Sequence, residues 1–98
     1  MMLQDRIARL CDVVPRMTKA PALLFIALWD ARSAFVTYDR LAERACGCSA
    51  DSVSEEAMRT SIKRIRRLID ACALPVEIQA LHGIGYRMVR LDPTWTWE

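Results

Sequence analysis

The sequence predicts a mainly helical α+β fold, and three observations predict it. Apolar residues recur at helical spacing in four stretches before residue 73. After Pro75 the period shortens to two. Gly83 and Gly85 interrupt that alternation midway, as the tip of a β-hairpin requires. The 98 residues, 53% of them apolar and 27% charged, suit one hydrophobic core and one domain. No repeat, low-complexity segment or internal boundary divides it.

The first helix is expected over about residues 3–14, ending before Pro15. Leu3, Ile7, Leu10, Cys11 and Val14 form its apolar stripe, and Asp5 can pair with Arg9 one turn later. The second, about residues 19–31, is apolar nearly all round through Leu23, Leu24, Phe25, Ile26, Leu28 and Trp29, so it must be largely buried. Pro21 fits its first turn, where no amide partner is lost. A short extended piece, 34–36, leads to Thr37, the N-cap of a third helix running through Ala45. Leu41 and Ala45 would face the core, with Arg40 and Arg44 outside. Residues 46–51 then form a loop into a fourth helix, about 53–72. In the hairpin, Val76, Ile78 and Ala80, then Tyr86 and Met88, point inward.

The fourth helix carries the strongest chemical signal. At about 100° per residue, Met58, Ile62, Ile65, Ile69 and Cys72 share one narrow stripe. Arg59, Lys63, Arg66 and Arg67 lie opposite, with Arg64 at the margin. Five of the nine residues from Arg59 to Arg67 are basic and none is acidic. A solvated helix normally mixes signs to form i,i+4 pairs, and this stretch does not. Cations also favour the last turns of a helix through its dipole, which accounts for Arg66 and Arg67 better than for Arg59 and Lys63. A basic helix beside a hairpin offers two tools for DNA: one of the right width for the major groove, one able to reach backbone or minor groove. The Gly-Ile-Gly run is not a phosphate cradle, since no helix follows it.

Other chemistries find little support. Net charge is only +2, so any affinity for nucleic acid must come from clustering. Four cysteines and one histidine lack the spacing of a zinc site, and reduced cysteines without metal are expected. No nucleophile–base spacing, carboxylate pair or cofactor motif marks an enzyme. With neither a signal-peptide core nor a run of about 20 apolar residues, the expected location is the cytoplasm.

SIKRIRRLI followed by HGIGYR resembles the winged-helix effector domain of OmpR/PhoB-type response regulators, whose helix typically reads VHIRRLRRKL and whose wing reads RGVGYR. Upstream, MTKAPALLFIAL is similar to that family's LTPKEFALLELL, and VTYDRLAERACG to its VSREELLERVWG. The resemblance covers about residues 17–90. It implies a winged helix-turn-helix: a three-helix core plus a C-terminal β-hairpin wing, here with an extra N-terminal helix. It also implies sequence-specific binding of double-stranded DNA and transcriptional control without catalysis. The candidate contacts are Arg59, Thr60, Ser61, Lys63, Arg64, Arg66 and Arg67 on the helix, with Gln79, His82 and Arg87 on the wing. The loop containing Gly47, Cys48, Ser49 and Asp51 corresponds to the family's surface for RNA polymerase.

The chain also departs from that pattern. Glu56 and Ala57 replace an Arg-Thr pair near the start of the recognition helix, and His82 replaces the wing arginine. The family's phosphoacceptor receiver domain has no room here, so a stand-alone effector is expected. Residues 1–15 read as a helix where the family has a small sheet. Too short to stand alone, that helix must dock on the second helix or pair with its copy in a homodimer. The tail, 92–98, carries Trp95 and Trp97, which either pack back on the hairpin edge or first helix or form a partner-binding peptide. Two functions follow: a DNA-binding regulator, or an adaptor that keeps the winged-helix scaffold and modulates RNA polymerase or another regulator.

Overall fold

A computed structural model describes residues 2–46 and 55–98. In chain order it contains α1 (Leu3–Val13), α2 (Lys19–Asp30), β1 (Val36–Thr37), α3 (Tyr38–Cys46), α4 (Glu55–Ala71), β2 (Val76–Leu81) and β3 (Gly85–Arg90). The α2 helix is central because it is apolar on every side: Phe25 and Leu28 are fully buried, and it contacts α1, α3, α4 and β3. Met58, Ile62, Ile65 and Ile69 form the buried stripe of α4. Thr37 caps α3, its Oγ1 accepting from the Arg40 amide at 3.4 Å.

The wing is a three-stranded antiparallel sheet of order β1-β3-β2. The extended piece expected over 34–36 is displaced. The strand is Val36–Thr37, because its partners Tyr86 and Gly85 lie opposite those two residues. The two wing glycines have different causes. Gly83 turns the chain at φ +76°. Gly85 lets β1 approach, since a Cβ there would run into the Val36 carbonyl and the Thr37 Cα. Ala80 corrects the inward expectation. It is exposed, because the helical layer covers this edge strand only as far as Ile78.

The exit from α4 fixes the wing's starting point. The Leu74 amide bonds to the Ile69 carbonyl at 3.0 Å and the Ala73 amide to Asp70 at 3.2 Å, a Schellman closure. Its left-handed position, usually glycine, is Ala73 at φ 50°. Leu74 then packs on the core.

The two ends of the chain meet. Leu10 of α1 and Val14 just after it are fully buried, and α1 packs on α2. Trp97 is 1% exposed, with its ring edge-on to Phe25 and Trp29 at centroid distances of 6.3 and 6.0 Å. Trp95 meets Trp29 at 5.7 Å. The expected Asp5–Arg9 pair does not form among the described residues; Arg9 Nε donates instead to the Trp97 carbonyl at 3.2 Å. Arg6 donates to both oxygens of Asp30, at 2.7 and 2.9 Å, and lies 3.2 Å from Glu98. That guanidinium holds the Asp30 carboxyl below its ordinary range, chiefly through these hydrogen bonds. Cys11 and Cys72 are free, half-buried thiols, and burial pushes the Cys11 thiol up.

Candidate nucleic-acid interface

The outward face of α4 is built by the stripe that buries its other side. Arg59, Lys63, Arg64 and Arg67 are all exposed. Arg59 pairs with Glu55 one turn earlier at 3.0 Å. Lys63, Arg64 and Arg67 have no ion pair among the described residues. Cations sit four apart at 59, 63 and 67, and each like-charged pair costs the helix about 0.2–0.5 kcal/mol. The acidic Glu55 and Glu56 occupy the first turn, where a negative charge favours the helix N-terminus.

Other sequence-predicted contacts bond or pack within the chain, although Thr60 and Arg66 remain exposed. The Thr60 hydroxyl donates to the Glu56 carbonyl at 3.0 Å, and Ser61 is half-buried. Arg66 donates to the Ile78 carbonyl at 3.1 Å, tying α4 to β2. Arg87 Nε donates to Gln79 Oε1 at 2.8 Å, and its guanidinium lies 4.7 Å from the centre of the Phe35 ring. Gln79 in turn donates to Glu77 at 3.2 Å. Arg66 therefore ties the wing to α4, while Gln79 and Arg87 pair across the wing's own strands. Tyr86 packs edge-on against Tyr38 at 5.6 Å, and burial raises its hydroxyl pKa.

At the wing tip His82 is exposed beside Leu81 and Ile84, themselves 39% and 49% exposed. The contacts expected from the sequence do not include these two apolar residues. Their signal was a break in the alternation: Leu81 and Ile84 are apolar where the period demands polar or turn residues. Gly47, Cys48, Ser49 and Asp51, the expected polymerase loop, lie outside the described residues.

An outward basic helix joined by a Schellman turn to a glycine-tipped wing is thus in place. The sequence profile of the family described as "Transcriptional regulatory protein, C terminal" matches residues 14–88. The chain belongs to that family. Its members are OmpR/PhoB-type winged-helix effector domains, which bind DNA and regulate transcription. The α1 helix, Leu3–Val13, and residues 89–98 lie outside the matched segment, and these are the two pieces that pack together on α2. Among curated proteins and among solved structures nothing matches the chain. No helix among the described residues is long and apolar enough to cross a membrane.

Proposed function

We propose that this domain regulates transcription by binding a specific double-stranded DNA sequence in the cytoplasm. The α4 helix lies in the major groove, with Arg59, Lys63, Arg64 and Arg67 toward bases and phosphates. The wing tip, His82 flanked by Leu81 and Ile84, meets the neighbouring backbone or minor groove. Arg66 acts indirectly, by tying the wing to α4, and Gln79 and Arg87 by bracing the wing's two strands against each other. One observation carries the reading: three cations on the outward face of α4 have no carboxylate partner among the described residues, although they repel one another. An external polyanion is the partner that offsets this repulsion.

Selection of bound fragments from a random duplex library at about 0.15 M salt tests this, with Arg64→Ala/Arg67→Ala as control. A short motif lost in the control is the expected result, and two spaced copies of it would mark binding as a dimer. With four phosphates neutralised, log affinity should fall against log salt with a slope of about −3.6. Weak binding without enrichment would overturn the reading and favour an adaptor of protein partners.

A further inference from the structure

At the base of the wing, far along β3 from its tip, an open cleft of about 490 Å³ lies between the end of α2 and the tail. Trp29, Arg32, Ser33, Arg90, Thr96 and Glu98 line it. An adjoining hollow shares four of these residues and adds Arg6 and Asp30. Three guanidiniums thus face two carboxylates.

Both carboxylates are already engaged by one of the three cations. Asp30 has both oxygens on Arg6, while Glu98 lies 3.2 Å from Arg6 and accepts from the Trp29 indole N–H at 3.1 Å. Arg32 and Arg90 have no ion pair and no side-chain hydrogen bond among the described residues. Arg90 is nevertheless held in place, 3.6 Å above the Trp29 ring, which is itself braced edge-on by Trp95 and Trp97. Stacking fixes a guanidinium without using its five N–H donors.

The backbone supplies an independent observation. Arg32 and Ser33 are consecutive left-handed residues, at φ 51° and 71°. Two glycines would make this turn without strain. Strain that persists in L-residues is a recurrent feature of ligand clamps. Here it carries a cation and a hydroxyl to the mouth of the cleft. On the opposite wall the Thr96 Oγ1 accepts from the Glu98 amide at 3.1 Å, a bond that does not use its own O–H as donor.

We infer that this cleft binds the phosphate or carboxylate group of a small anionic molecule, held between Arg32 and Arg90 with Ser33 and Thr96 as neutral donors. The anion bridges the end of α2 and the tail, so binding it stabilises the packed tail. The cations of α4 take no part. The site neither depends on the DNA-binding proposal nor uses the same residues.

Inorganic phosphate is the probe, titrated into the full chain with ionic strength held constant by sodium chloride. The expected result is a saturable change in tryptophan fluorescence and a rise in Tm of about 7 °C at ten times the dissociation constant. Arg32→Gly relieves the left-handed strain, so it should fold with an unchanged or higher Tm and lose the phosphate response. Arg64→Ala/Arg67→Ala should keep it. A response that does not saturate, that survives Arg32→Gly, or that disappears with the α4 pair would overturn the assignment. DNA phosphate is the competing source of the same chemistry. If Arg32→Gly flattens the salt slope of DNA affinity by about 1, the cation serves the duplex and the small-anion site is wrong.

Discussion

Arg6 and Arg67 are the same side chain on two helices of one domain, and their surroundings are opposite. Arg6 is 18% exposed, chelates Asp30, pairs with Glu98 and lies 5.4 Å from the centre of the Trp97 ring. Arg67 is exposed on α4 beside Lys63 and Arg64, with no carboxylate partner among the described residues. Between α1, the end of α2 and the tail, the fold closes Arg6, Asp30 and Glu98 on one another and joins the two chain ends over an aromatic cluster. Along α4 it leaves like charges adjacent, at a cost in stability. Where a cation serves the fold, a partner stands beside it. Beside Lys63, Arg64 and Arg67 no carboxylate stands among the described residues.

If that contrast is right, the largest loss of stability comes from the closed region and leaves the open one working. Trp97→Ala empties a site that Phe25, Trp29 and Arg6 surround, and should lower unfolding free energy by about 3–5 kcal/mol in urea titrations. DNA affinity measured in the cold, on the fraction still folded, should change less than twofold. A small stability loss would mean that the tail lies on the surface without supporting it.

The reciprocal substitution comes next in size. Arg64→Ala/Arg67→Ala should leave stability within about 0.5 kcal/mol, since neither side chain is packed. Each arginine that reads a base should cost about 1–3 kcal/mol of DNA affinity and relax preference at one position. If Lys63 contacts phosphate, Lys63→Ala should weaken binding to all sequences alike and flatten the salt slope by about 0.9. A large drop in Tm from any of these would show that α4 also uses its cations structurally.

The open region was more legible in the sequence than the closed one. The Met58–Ile62–Ile65–Ile69 stripe sets which way α4 faces, so its basic side followed from spacing alone. Gly83 and Gly85 marked the wing tip. What sequence spacing could not show were contacts between distant residues. Arg66 appears as one more basic residue until the Ile78 carbonyl, twelve positions on, is seen to take its N–H. Arg9 has Asp5 within reach on its own helix, yet it bonds to Trp97 at the other end of the chain. The left-handed turns at Arg32, Ser33 and Ala73 carry no glycine, so nothing in the residue types announced them.

Ala73 permits a test of stability that leaves charge untouched. Its φ of 50° strains an L-residue by about 1–2 kcal/mol, part of which glycine returns through its greater freedom in the unfolded chain. Ala73→Gly should therefore stabilise the domain by roughly 0.5–1 kcal/mol. It changes no cation and keeps the Schellman hydrogen bonds, so DNA affinity and salt slope should match the parent. If affinity rises with stability, the joint between α4 and the wing was flexing, and the open face owes something to its rigidity.

The smallest effect tests the paired cation through pH. Hydrogen bonds from Arg6 lower the Asp30 pKa in the folded state. A lowered carboxyl pKa contributes stability that is complete above the unfolded value of about 3.9 and is lost as pH falls through the folded value. Asp30 is 37% exposed, so solvent screening limits the pair to about 0.2–1 kcal/mol at neutral pH. Arg6→Met removes the guanidinium, both from Asp30 and from its place 5.4 Å from the centre of the Trp97 ring. The stability gap between parent and variant should be constant from pH 8 to about pH 5, then narrow below pH 4 as Asp30 protonates. Asp92, whose carboxyl is also lowered by its bonds to Thr94, titrates alike in both proteins and cancels from the difference. A gap that persists unchanged at pH 2 would assign the contribution of Arg6 to packing against Trp97, and the closed region would then be held by its aromatic residues rather than by its charges.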